Sequence, residues 1–120
     1  MADQRVYKIL SAEDWALAEG EGVSATDLDN ADGYVHLSTG AQVGQTLALH
    51  YRGVDKVRLL AYQLSDVEAM GDVRWEPSRG GDLFPHLYGA LRISDAKHAW
   101  VLELDSDGVP ILPEIVKQWL

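Results

Sequence analysis

Residues Asp32-Gly33-Tyr34-Val35-His36-Leu37-Ser38-Thr39, DGYVHLST, form an apolar run broken by one histidine and closed by two hydroxyls. Read as a β-strand, successive side chains point to opposite faces. Tyr34, His36 and Ser38 then share one face, while Val35 and Leu37 turn the other way, towards a core. Tyr, His and Ser make a poor core layer but a good pocket wall, since each brings a hydrogen-bonding group on an apolar scaffold. The alternative is a histidine satisfied by backbone groups at a sheet edge. The strand stops at Ser38 or Thr39, whose hydroxyl caps the next helix, expected from about Ala41 to Tyr51 and ended by Gly53.

Working outward, Val6 to Leu10 is a short β-type run. Ser11 then caps a helix with Glu13 and Asp14 in its first turn, ended by Gly20 and Gly22. Val23 to Asp32, rich in Ser, Thr, Asp and Asn without a clear period, reads as a loop. On the helix after the motif, Val43, Leu47 and Tyr51 form one stripe and Gln42, Thr46 and His50 an adjacent polar one. Val57 to Leu64 is a strand, Ser65 to Glu68 a helical turn closed by Gly71, and Val73 to Glu76 a strand broken by Pro77. Arg79 to Asp82 is a turn. The segment LFPHLYG at 83–89 leads into an expected strand at Leu91-Arg92-Ile93. His98 to Leu104 is a further strand, Asp105 to Gly108 a turn, and Pro113 to Leu120 one or two helical turns. Strands outnumber helices and do not alternate regularly with them. The expected class is α+β: small antiparallel or mixed sheets with flanking helices, in a single domain over 1–120.

The charge balance narrows the function. Acidic residues outnumber basic ones by 19 to 10, for a net charge of −9. Phosphate neutralisation dominates nucleic-acid affinity, so this balance argues against an RNA or DNA partner, though not against a small anion held by a few arginines. With no cysteine, disulfides, thiol catalysis and metal–thiolate sites are excluded. No apolar run approaches the ~20 residues of a membrane span, and the N-terminus does not resemble a signal peptide. The expected compartment is the cytoplasm, and the expected state is a monomer with no membrane partner.

Nucleotide-loop, HExxH and GxSxG motifs are absent. The four histidines, at 36, 50, 86 and 98, form no close metal-ligand pair, and no metal is expected. A second constellation is more informative. Residues 74–89, RWEPSRGGDLFPHLYG, crowd charges, aromatics, glycines and a proline-preceded histidine into one segment. Glu76 beside Trp75 is a candidate acid, base or charge stabiliser, if it is not simply paired with Arg74 or Arg79 at the surface. Phe84-Pro85 would pin the segment to the core and leave His86 and Tyr88 on one strand face. Gln42, Thr46 and His50 would line the same pocket if their helix leans on the strand.

DGYVHLST and WEPSRGGDLFPHLYG together resemble the bacterial family catalogued as domain of unknown function 952. Its members carry a GFIHLS-type strand, a following helix containing Gln (here Gln42) and a later WE…FPHLYG segment. The resemblance extends from VYKIL to the C-terminal strand. It implies an ADP-ribosylation-like fold, grouped with proteins that bind NAD in a cleft between two small sheets. Val35 to Ser38 is also similar to the HVHLS strand of the RNA 2′-phosphotransferases, whose first strand carries His or Arg beside an aromatic; here Tyr7 precedes Lys8.

The resemblance implies a chemistry for these residues. Tyr7, Tyr34, His36 and Ser38 would line a cleft with Thr39 at its mouth, bonding a ribose or a nicotinamide amide. Lys8, Arg74 or Arg79 would meet the pyrophosphate. Glu76 would stabilise positive charge building on the sugar as an N-glycosidic bond breaks, with His36 beside it and His86 and Tyr88 closing the other wall. The ligand implied is NAD or an ADP-ribose-like nucleotide, with transferase or glycohydrolase activity. The alternative is a non-catalytic binding or interaction module with a vestigial cleft.

Overall fold

The computed structural model describes residues 4–24 and 26–120, with Arg79 described by its backbone alone. The chain opens with strand β1 (Arg5–Leu10), helix α1 (Ala12–Glu21) and a short helix α2 (Asp27–Asp32). Two short strands follow, β2 (Val35–His36) and β3 (Ser38–Thr39), then helix α3 (Gly40–His50) and strand β4 (Val57–Gln63). Helix α4 (Leu64–Glu68) precedes β5 (Gly71–Pro77), which turns through a 3₁₀ segment (Arg79–Gly81) into β6 (Leu83–Gly89). A second 3₁₀ segment (Ile93–Asp95), strand β7 (His98–Leu102) and helix α5 (Glu114–Gln118) complete the chain.

Among the described residues the strands form two antiparallel sheets, ordered β3-β1-β4-β7 and β2-β6-β5. This is the α+β class expected from the irregular succession of strands and helices. The alternation of β1 assigns its faces. Val6 and Leu10 join Val35, Leu37, Leu60, Tyr62 and Leu87 in a core between the sheets. Tyr7 and Ile9 face the other way, into a second core with Val43 and Leu47 of α3 and Val116 of α5. Lys8 lies on the inter-sheet side with Val6 and Leu10, which puts a charged residue in an apolar layer.

The DGYVHLST motif is where the chain changes sheets. His36 pairs with His86 in the smaller sheet, whereas Ser38 pairs with Tyr7 in the larger. Leu37, between them, donates to the Pro85 carbonyl at 3.1 Å and is buried in the inter-sheet core. The two sheets diverge from this point, so the expected single strand is two strands in different sheets.

Two further expectations are corrected. Val23 to Asp32 is not all loop, because α2 occupies its second half. Thr26 caps it, accepting from the Asp29 amide at 3.0 Å, and Gly33 ends it in the left-handed region at φ 82°, donating to the Asp29 carbonyl. The polar residues that hid the helix are its caps. The strand expected at Leu91–Ile93 lies instead at LFPHLYG itself, which pairs with β5 from Gly71↔Gly89 to Pro77↔Leu83. Leu91 is buried, Arg92 makes one isolated bridge to Val23, and Ile93 begins a 3₁₀ turn. The Gly71–Gly89 pair permits close backbone approach: a Cβ on Gly71 would lie 2.5 Å from the Tyr88 carbonyl oxygen. No helix among the described residues is long and apolar enough to cross a membrane.

Candidate functional site

The divergence at Leu37 opens a cleft of about 620 Å³ between β1, α2, the end of β2, the start of β3, the end of α3 and the start of β6. That is within the usual range for a small-molecule site. Lys8, Asp29 and His36 form its floor. Asp14, Asp27 and Asp32 also line it, so its fixed charge is predominantly negative.

Asp29 organises the floor. One carboxylate oxygen takes the Lys8 ammonium at 2.7 Å; the other accepts from the His36 amide at 3.0 Å and meets His36 Nδ1 at 2.6 Å. Lys8 also donates to the His36 carbonyl at 3.1 Å. Lys8 and Asp29 are each 4% exposed. Burial alone would raise the Asp29 carboxyl, but the His36 hydrogen bond and the charge and hydrogen bond of Lys8 outweigh it and bring it down to about 2. Burial pulls Lys8 below the usual lysine range, with Asp29 opposing. An ionised carboxylate can only accept, so Nδ1 of His36 carries a proton and Nε2 is the atom presented outward. Nε2 lies 2.9 Å from Asp32, a residue 40% exposed at the rim. The arrangement is an imidazole held in orientation by a buried carboxylate, as in acid–base and ligand-orienting sites.

A second imidazole–carboxylate pair adjoins the first. His86, buried, meets Glu76 at 2.9 Å through Nδ1, and the Tyr88 hydroxyl donates to the same oxygen at 2.7 Å. These hydrogen bonds, Tyr88 first, hold the Glu76 carboxyl below its ordinary range and raise the Tyr88 phenol. Tyr34 links the two pairs. Its ring stacks on His86 with centroids 4.2 Å apart and tilts against His36 at 4.7 Å. Burial and then the nearby Asp32 and Glu76 raise the Tyr34 phenol.

The structure thus brings together Tyr7, Lys8, His36, Ser38 and His86 at the cleft, with Tyr34 between the histidines. Thr46 and His50 line the cleft as well. Lys8 is not available to a pyrophosphate in the manner expected, because Asp29 already neutralises it in a buried pair. Glu76 meets the cleft through His86 rather than by facing His36. Gln42 is spent on structure: its carbonyl accepts from the Thr39 amide at 3.0 Å and its amide donates to the Leu83 carbonyl at 2.7 Å, so Thr39 and Gln42 tie α3 to β6. Arg74 sits outside the cleft, paired with Asp72 at 2.7 Å and lying 4.4 Å above the Tyr88 ring. The Arg79 side chain lies outside the described residues; its backbone belongs to the 3₁₀ turn between β5 and β6.

Asp29 and Asp32 were missed by sequence reasoning because they fall in the stretch taken as loop. A signal was present. Thr26-Asp27-Leu28-Asp29 places an acid three residues after a capping threonine, the spacing of a helix start. Among the described residues no three His, Asp or Glu side chains are arranged to hold a metal ion.

Fold and site together define a small α+β domain with an acidic, imidazole-bearing cleft where its two sheets part. The chain belongs to the family described as "Protein of unknown function (DUF952)", whose model matches residues 9–99. It is similar to the crystal structure of protein CC0527 from Caulobacter crescentus: 40% identity, 94% of this chain and 98% of that one covered, TM-score 0.85. Against the solution structure of the same protein the values are 41% identity, 92% and 95% coverage and a TM-score of 0.78. No curated protein matches the chain.

Proposed function

We propose that the cleft binds a ribosyl compound of the NAD or ADP-ribose kind, base end first, over the His36–His86 pair. The observation that carries this reading is the charge arrangement. The cleft is lined by Asp14, Asp27, Asp29 and Asp32, while Lys8 is consumed by Asp29. Such a wall favours a cationic ring or a sugar carrying developing positive charge and disfavours phosphate. Phosphates of a larger nucleotide therefore stay outside. The resemblance to ADP-ribosyltransferase-like proteins, which hold NAD between two small sheets, supports the ligand class.

A second reading, cleavage of the glycosidic bond, has its own support. His36 is oriented at Nδ1 by an ionised buried carboxylate, and its Nε2 meets the Asp32 carboxylate at the cleft rim at 2.9 Å, so the imidazole bridges the buried floor to the rim, where a ligand that displaces Asp32 would meet an acid–base group. The test is thermal stability with nicotinamide riboside, NAD and ADP-ribose, alongside nicotinamide release. Binding at ~100-fold saturation adds about 2.7 kcal/mol. Stabilisation by nicotinamide riboside and NAD beyond that by ADP-ribose, abolished in His36→Ala with folding still cooperative, is the expected result. No shift with any of the three, or a larger shift with ADP-ribose, overturns the binding reading. A shift without nicotinamide release removes the catalytic one.

A further inference from the structure

We propose that His86 selects the ligand's base: its Nε2 accepts from the N–H of a carboxamide on the ring, and Glu76 holds His86 in the tautomer that can accept. This rests on the reading of the acidic cleft as a ribosyl site entered base end first, and narrows it to bases of the nicotinamide type.

The tautomer is set from outside the cleft. Glu76 is 34% exposed, and the hydrogen bonds of Tyr88 and then His86 hold its carboxyl below the ordinary range, with the charge of Arg74 adding to them. An ionised carboxylate only accepts. One oxygen, Oε1, takes the Tyr88 hydroxyl at 2.7 Å and meets His86 Nδ1 at 2.9 Å. Nδ1 therefore carries the proton, and in the neutral ring Nε2 keeps its lone pair. The Arg74 guanidinium, 4.4 Å above the Tyr88 ring, packs over the outer end of this chain. Glu76 is thus a positioning residue that acts through His86.

The ring is also fixed in place. His86 is 3% exposed and sits on the central strand of the smaller sheet, between His36 of β2 and Arg74 of β5. Tyr34 stacks on it with an interplanar angle of 21°, and His36 meets it edge-on at 5.4 Å. His86 lines the cleft and Glu76 does not, so the ring turns Nδ1 away from the cleft and Nε2 towards it. His36 cannot serve in the same way, because Asp29 and Asp32 engage both of its nitrogens.

The chemistry of selection follows. The carboxylates that line the cleft attract any cationic ring alike. A neutral acceptor in a fixed ring instead separates cations of equal charge by the group they aim at it. A carboxamide brings an N–H to Nε2. An acetyl group of the same size brings only a carbonyl oxygen, which sets lone pair against lone pair.

The test compares the affinities of nicotinamide riboside and 3-acetylpyridine riboside, which share the pyridinium charge and differ in that N–H. Long-range ¹H–¹⁵N spectra of the free protein, with the ring neutral, report the His86 tautomer. The expected results are a proton on Nδ1, a bare Nε2 and a preference for the carboxamide of at least about tenfold. His86→Phe should bring the ratio of affinities close to one. Glu76→Ala, at a partly exposed position, should fold cooperatively, move the proton towards Nε2 and lower the ratio with His86 still in place. A purely structural role for Glu76 would leave that ratio unmoved. Binding of neither riboside by the wild type overturns the reading of the cleft itself. Equal binding of both, a ratio unchanged in His86→Phe, or a wild-type proton on Nε2 overturns the role of His86 alone.

Discussion

Replacing Asp29 by Asn keeps its size and removes its charge, which the structure makes one of the most consequential single changes at the site. Three groups converge on that carboxylate: the Lys8 ammonium, the His36 amide and the His36 ring. A carboxyl at about 2, against an ordinary 3.8, is stabilised in its ionised form by about 2 kcal/mol at neutral pH. The substitution loses that and also leaves the Lys8 ammonium buried without a counter-charge, so the whole cost is roughly 3–5 kcal/mol. With a urea dependence of about 1.5 kcal/mol/M, the midpoint falls by roughly 2–3 M. Adding Lys8→Met removes the stranded charge, and the double variant should recover 1 kcal/mol or more, since replacing both partners of a buried pair is far cheaper than removing one. Equilibrium urea unfolding of the wild type, Asp29→Asn, Lys8→Met and the double variant completes the cycle. A cost below about 1 kcal/mol for Asp29→Asn, or strictly additive effects, would refute the assignment of Asp29 as the organiser of the floor.

Other consequences follow from the same coordinates. Because the Asp29 pKa is lowered by folding, its stabilisation is present above pH 3.8 and is lost as pH falls towards about 2. The melting temperature of the wild type should therefore drop more steeply between pH 4 and 2 than that of Asp29→Asn; parallel acid limbs would contradict this. Tyr88→Phe removes the first hydrogen bond holding Glu76 down, so the Glu76 carboxyl should titrate at higher pH by ¹³C NMR, and an unmoved midpoint would remove Tyr88 as the cause. Leu87→Ala opens a void in the fully buried inter-sheet core and should cost about 3 kcal/mol in chemical unfolding. Gly71→Ala forces a methyl against the Tyr88 carbonyl and should cost about 1–3 kcal/mol by the same measure, with the β5–β6 pairing shifted in amide spectra.

How far the sequence revealed this molecule depended on whether the signal was local. The pattern around Ser11 and Gly22, the helix after Thr39 and the apolar strand from Val57 all rest on caps and periodicities contained within a dozen residues, and each formed with its ends shifted by about a residue. The site was legible in part for the same reason: alternation placed Tyr34 and His36 on one face, and His86 and Tyr88 on another strand. Alternation cannot reveal that a strand leaves one sheet for another at Leu37, because that depends on pairing with residues some thirty and fifty positions away. Alternation puts Lys8 on the face of Val6 and Leu10, but it could not tell that Asp29, twenty-one residues on, makes a charge tolerable there. Expecting Lys8 to meet a pyrophosphate followed from the family resemblance and the charge of Lys8; its buried pairing with Asp29 is a partner that neither revealed.

The claim at the centre of this account is that ligand chemistry happens over the two imidazoles where the sheets part. Long-range ¹H–¹⁵N spectra of the His36 and His86 rings, recorded while nicotinamide riboside is titrated in, test it most directly. Saturable displacement of both ring systems, with the His50 and His98 rings less affected and with the response abolished in His36→Ala, is what the geometry predicts. Rings at 36 and 86 that stay unmoved at saturating ligand, while signals elsewhere shift, would contradict it.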